Sequence, residues 1–210
     1  LTIIGVAGRL GAGKSLVARL LGEQGAQVLD ADRMAHKYLE QGRAEYDLLV
    51  KHFGRDILDS QGCIDRARLG EKVFQDREQL EALNRIVHPP LLEEIRKRID
   101  DFRRKDAGSK ALVIDAALLF WWKMDRWCDL ALWVDAPKEE RGRRVVESGR
   151  MSREKFERRD RMQETLSPSG EEENLQRIEN RGTRSELADK IDKIWKKVVN
   201  HENRKRQQSR

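Results

Sequence analysis

The chain has 210 residues, 38% apolar and 38% charged, with a formal charge of +6 and a pI near 9.4. Such a composition excludes a wholly disordered chain and suits one sizeable core with room for an inserted subdomain. No apolar run approaches the roughly 20 residues that span a bilayer, and the two distant cysteines, Cys63 and Cys128, argue against a zinc site or a disulfide framework.

A cytoplasmic protein without membrane association is therefore expected, and its basic balance suits a phosphate-bearing partner. The opening LTIIGVAG has no basic stretch before it and reads as a buried strand over residues 2–7, not as a signal peptide. Leu16, Val17, Leu20 and Leu21 then form a helical stripe. A second strand is expected over 26–30, beside the first in the sheet. Residues 36–107 are too many for one crossover helix and read as a set of helices broken at Pro89-Pro90. Further strands are expected over 111–115, 130–135 and, more weakly, 175–180. Unbroken apolar runs suggest strands covered on both faces, as in a parallel sheet. The stretch 138–166 is arginine-rich with few core residues and reads as a solvated, mobile helical lid. A last helix carries Leu187, Ile191, Ile194, Trp195 and Val198, with Thr183 and Glu186 as its capping box. The basic tail, 201–210, is expected to be disordered. The fold class is thus α/β: a doubly wound parallel sheet over 1–35, 108–137 and 167–200, with a helical insertion and a lid.

Between the first strand and first helix lies GRLGAGKS. Gly8, Gly13, Lys14 and Ser15 meet the pattern G-x-x-x-x-G-K-[ST], with Gly11 inside the loop. Glycines let successive N–H groups turn inward around anionic oxygens, and the following helix adds its positive end. Lys14 reaches the β- and γ-phosphates and Ser15 ligates Mg²⁺, so the chain is expected to bind a nucleoside triphosphate in a P-loop. A carboxylate at the carboxyl edge of the sheet should complete the metal shell. Asp115 is the best candidate, and Asp135 is its rival.

Phosphoryl transfer to a hydroxyl needs a base and positioned cations. Asp30 and Asp32, in LDADRMAH, leave the second strand, and one of them is suited to accept the hydroxyl's proton while the other caps a helix. Arg141, Arg143, Arg144, Arg150, Arg153, Arg158, Arg159 and Arg161 crowd the lid, where a few would gather around the transferring group and the rest pair with interleaved glutamates.

The segments GVAGRLGAGKS, LDADRMAH, RIVHPPL, IDAALLF, RMSREKFERRDRMQ and IENRGTRSEL, in this order and spacing, resemble the dephospho-CoA kinase family over about residues 3–198. The resemblance implies transfer of the γ-phosphate of ATP to the ribose 3′-hydroxyl of dephospho-CoA, the last step of coenzyme A biosynthesis. It also implies that Asp32 is the general base, and that Gly11, Ala12, Gly13, Lys14, Ser15 and Leu16 line the ATP phosphates. His88 and Pro89 fall in the helical insertion that receives the acceptor. Arg144, Arg159 and Gln163 fall on lid positions, and Asn180 with Gly182 on the adenine-side loop. The chain departs from the family's usual pattern at Leu16, where threonine is common, and at Ala116, Ala117 and Trp121, which replace isoleucine, proline and glutamate. An arginine usual near Ser148 is missing, with Arg150 close by. A monomer or weak homo-oligomer is expected. Two other readings use the same residues: a kinase for a nucleoside monophosphate or sugar acid, and a nucleic-acid-binding ATPase suggested by the basic tail. The latter lacks the aromatic–basic interleaving that stacks bases, so no nucleic-acid partner is expected.

Overall fold

A computed structural model of the chain describes residues 1–73, 76–104, 109–170 and 172–208. In chain order it comprises β1 (Thr2–Gly8), α1 (Lys14–Glu23), β2 (Gln27–Asp30), α2 (Ala31–His36), α3 (Ala44–Phe53), α4 (Arg66–Val73), α5 (Arg77–Arg104), β3 (Ala111–Asp115), β4 (Leu130–Asp135), α6 (Lys138–Glu147), α7 (Arg153–Met162), β5 (Leu175–Glu179) and α8 (Arg184–Gln208). These elements divide into two compact units, one of Leu1–Asp30 with Ile99–Arg210 and one of Ala31–Arg98.

The first unit is built on a wholly parallel five-stranded sheet in the order β2-β3-β1-β4-β5. The strands fall where apolar runs end in glycine or aspartate. β1, β3 and most of β4 are buried, because parallel strands are covered on both faces. On one face Ile4, Val6, Val113, Leu132 and Val134 pack with Val17 and Leu21 of α1 and with Leu187, Ile191 and Ile194 of α8. Each fully buried aliphatic side chain here contributes about 1.5–3 kcal/mol. On the other face a side chain at Gly5 would strike Leu119 and Cys128, and Phe120 meets Trp133 edge-on at 5.8 Å.

Two expectations about the sheet are corrected. β2 pairs with β3, which separates it from β1, so the second strand is not beside the first. It is also an edge strand, with Val28 38% exposed, and is not covered on both faces. What the register does provide is Asp30 directly across from Asp115 at the carboxyl edge.

The second unit is helical, as the apolar spacing of the insertion predicts, but it begins at Ala31 and ends at Arg98 instead of spanning 36–107. The expected boundary at 107–108 lies outside the described residues. Asp65 starts α4 by accepting the N–H groups of Ala67 and Arg68 at 2.8 and 3.2 Å. The expected break at Pro89-Pro90 is absent, since α5 runs through both prolines. Each proline removes one helical hydrogen bond and crowds the preceding turn, a cost of about 3 kcal/mol. Val87, Leu91 and Ile95, all buried, offset this by about 1.5–3 kcal/mol each. Tyr38 reinforces the same turn, its hydroxyl lying 3.0 Å from the Pro90 carbonyl and 2.9 Å from Glu94 Oε2.

The lid and tail also differ from expectation. α6 and α7 expose most of their side chains, as a solvated excursion should, but they bury Val145, Phe156, Arg141 and Asp160 and are anchored there. Ser152 caps α7 through Lys155 N–H. The tail is helical as far as Gln208, continuing α8, and is not disordered there. Ser209 and Arg210 lie outside the described residues. The reason is a buried carboxylate, Glu202, which accepts a hydrogen bond of 2.7 Å from the Thr2 hydroxyl and so fastens the tail to the start of β1.

Candidate nucleotide-binding site

The loop between β1 and α1 takes its shape from its glycines. Gly11 and Gly13 have φ of +79° and +102°, in the left-handed region that other residues enter at a cost of roughly 1–2 kcal/mol. Space is restricted as well. A Cβ on Gly11 would sit 2.6 Å from the Arg141 carbonyl oxygen, and one on Gly13 would clash with Asn180 Nδ2. Ala12 N–H donates to the Arg9 carbonyl at 3.0 Å, closing the turn. Gly13 has no side chain to cap α1, and the first turn of α1 holds no acidic residue, so its positive end faces the loop. This is the anion-binding geometry the sequence motif predicts.

Lys14 forms an ion pair with Asp115, which is 3% exposed at the end of β3. Asp135, the rival carboxylate, accepts the N–H of Ala136 at 2.9 Å as a turn residue. Asp115, Asp30 and Ser15 line one cleft of ≈ 500 Å³, together with Ala18, Arg19 and Val28. Leu16 N–H donates back to the Gly13 carbonyl at 3.0 Å within the first helical turn. Among the described residues no group of three or more His, Cys, Asp or Glu could by itself hold a metal ion. A serine hydroxyl and one or two carboxylates are instead the hard-oxygen set suited to Mg²⁺ shared with phosphate oxygens.

Asn180 and Arg144 brace the loop from behind. Asn180 is buried and donates from Nδ2 to the Ala12 carbonyl at 2.8 Å, while its own N–H reaches the Asp135 carbonyl at 2.7 Å. Arg144 donates to the Asn180 carbonyl at 2.9 Å and to Glu140 at 3.0 Å. Its Nη1 is buried with no hydrogen-bond partner among the described residues. The predicted capping box is present: Thr183 N–H donates to Glu186 Oε2 at 2.7 Å, and Glu186 N–H to Thr183 Oγ1 at 3.3 Å. Gly182 leaves room for it, because a Cβ there would collide with the Glu186 carboxylate. Gln163 accepts the N–H of Leu10 at 2.8 Å through Oε1. Arg159 is half-buried, and that burial lowers its guanidinium pKa.

Asp32 and the pair His88–Pro89 belong to the helical unit. Asp32 is exposed in the first turn of α2, two residues after β2 ends at Asp30. His88 is half-buried within α5, where burial drives its pKa from 6.5 down to about 4. The unfolded chain therefore binds this proton more readily, and His88 removes stability as pH falls from about 6.5 toward 4. Chemical denaturation at pH 7.5 and 4.5 should accordingly show a smaller acid loss for His88→Gln than for the parent chain; equal losses would refute this.

Two side chains around the site, Arg9 and Asp160, were not anticipated, and the lid arginine Arg141 pairs with Asp160 and not with a glutamate. Arg9 and Arg141 converge on Asp160, which is 1% exposed. The only sequence signal was a carboxylate lying 19 positions beyond Arg141 in an arginine-rich stretch.

Comparison with known proteins agrees with this geometry. The family model CoaE, dephospho-CoA kinase, matches residues 2–204. A dephospho-CoA kinase of Carboxydothermus hydrogenoformans is 41% identical over 166 residues, covering 79% of this chain and 80% of the relative. Among solved structures, TT1252 from Thermus thermophilus is similar with a TM-score of 0.73 and 32% identity, over 95% of this chain and 97% of that one. A dephospho-CoA kinase from Campylobacter jejuni, at a TM-score of 0.59 and 22% identity over 94% and 97% of the two chains, shares the fold. The mononucleotide-gripping loop, the parallel sheet behind it and the match along nearly the whole length place this chain in the dephospho-CoA kinase family.

Proposed function

We propose that this protein transfers the γ-phosphoryl group of ATP to the ribose 3′-hydroxyl of dephospho-CoA, releasing ADP and coenzyme A. The observation that carries the reading is the family match over residues 2–204, which includes a glycine-shaped phosphate loop with Lys14 beside a carboxylate at the sheet edge. Main-chain N–H groups of the loop and the first turn of α1 hold the β- and γ-phosphates. Lys14 carries positive charge to the transferring group, and Arg144 Nη1 supplies a further donor to the nucleotide. Arg159, half-buried on α7, adds a second cation from the lid. Ser15 and Asp115 would hold Mg²⁺ jointly with the phosphates, and the ion would neutralise their charge. Asn180 and Gly182 form the shelf beside the adenine.

Asp32 acts as general base, taking the proton of the 3′-hydroxyl as its oxygen attacks phosphorus in line with the departing ADP oxygen. His88 and Pro89 belong to the helical unit that receives the acceptor, with His88 neutral at physiological pH. No described helix is long and apolar enough to cross a membrane, and the exposed Cys63 with the buried, unpaired Cys128 suits a reducing cytoplasm. The test is direct. The protein is incubated with ATP, Mg²⁺ and dephospho-CoA, and coenzyme A formation is followed by mass alongside ADP release. Nucleoside monophosphates and sugar acids serve as competing acceptors. Turnover confined to those acceptors would overturn the reading.

A further inference from the structure

We infer that Asp160 is a positioning residue that couples the α6–α7 hairpin to the leading limb of the phosphate loop, and that Arg9 is the arm through which it acts. The inference rests on the proposed use of ATP but not on the identity of the acceptor.

The geometry is a two-sided clip. From α6, Arg141 donates through Nε to the Ala136 carbonyl at 3.0 Å and through Nη1 to the Leu10 carbonyl at 3.2 Å, and it pairs with Asp160 on α7. From the loop, Arg9 Nη2 reaches Asp160 twice, at 3.0 Å to its carboxylate and 3.0 Å to its main-chain carbonyl. Gln163, one turn further along, holds Leu10 N–H at 2.8 Å. The main chain of Leu10 is thus held at both its N–H and its carbonyl, and Arg9 by its guanidinium, by groups of one hairpin. Arg141 and Asp160 are 2% and 1% exposed, so the anchor is dry and its hydrogen bonds are strong.

Such an investment of buried charge is poor value for stability alone, because an apolar pair of similar volume usually serves as well. It does fix direction. Arg9 carries the carbonyl that closes the turn on Ala12, so a displaced Arg9 shifts the start of the amide cradle relative to Gly11 and Gly13. Displacements near 1 Å at a phosphate site are costly in rate and binding. By the same connection, any shift of α7 reaches the cradle through Asp160 and Gln163.

The experiment uses Arg9→Met, which releases the loop arm and leaves the buried Arg141–Asp160 pair intact, and Gln163→Leu, which releases Leu10. Each should raise both the KM for ATP and the Kd for a fluorescent ATP analogue about tenfold. The KM for dephospho-CoA and the melting temperature should stay close to those of the parent protein. Gln163→Glu keeps an acceptor for Leu10 N–H and should restore much of the affinity. Asp160→Asn, combined with Arg9→Met, should lose less analogue affinity than the two single losses added together, since the two share the Arg9–Asp160 connection. Analogue affinity unchanged in Arg9→Met and Gln163→Leu would overturn the inference, as would losses that merely track melting temperature. Because the analogue is read without an acceptor, a protein inactive on dephospho-CoA would defeat the proposed function and leave this result standing.

Discussion

Asp32→Asn is expected to lower kcat by a factor of about 10² or more while the KM for ATP stays within about twofold. Asparagine keeps the size and hydrogen-bonding reach of the side chain and removes only its capacity to accept a proton. Asp32 is exposed in the first turn of α2, so the substitution should change stability by no more than about 0.5 kcal/mol. A rate loss without a stability loss is the mark of chemistry. Asp32→Glu, which returns the carboxylate on a longer stem, should recover part of the rate. Steady-state kinetics over both substrates, with thermal melting as the companion measurement, decides the matter: near-normal kcat in Asp32→Asn would place the base elsewhere.

The second large effect is expected at Lys14. Lys14→Ala should reduce turnover by about 10²–10³ and weaken ATP binding, because a cation aimed at the developing charge is lost. The consequence for the protein without nucleotide is separate. Asp115 is nearly buried, stands across from Asp30 in the sheet register and pairs with Lys14. Removing the lysine leaves two carboxylates on neighbouring strands to repel one another, and breaking such a pair costs about 3–5 kcal/mol when it is fully buried, less in a cleft open to water. The double variant Lys14→Ala/Asp115→Asn should therefore regain much of the melting temperature without regaining any activity. A double variant no more stable than Lys14→Ala would mean the pair has no electrostatic role in the fold.

What could be read from the sequence was whatever depends on neighbours along the chain. β3 and β4 appear at their expected bounds because a run of apolar residues closed by aspartate has few other uses. The phosphate loop follows from glycine spacing, and the Thr183–Glu186 box from two residues three apart. Properties set by distant segments stayed hidden. The position of β3 between β1 and β2 is a choice of pairing that an intervening helical insertion leaves unmarked. α5 defies its prolines because burial of Val87, Leu91 and Ile95 outweighs a local penalty. Arg141 and Asp160 look like surface charges until the fold brings them together. The candidate site divides along the same line. Lys14, Ser15 and Asp115 gather in one unit as their motifs imply, whereas the roles of Asp32 and His88 rest on the family resemblance.

Glu202 gives the far end of the polypeptide a purpose that its composition conceals. β1 lies at the centre of the sheet and leads straight into the phosphate loop, and the hydroxyl of its first residue is held by a carboxylate 200 positions away. Shortening the protein at Asn200, on the view that a lysine- and arginine-rich remainder is dispensable, would strip that acceptor from the root of the middle strand. The stub would be frayed where the nucleotide-gripping turn begins its path, so the last helix is best kept whole in any trimmed form of the enzyme.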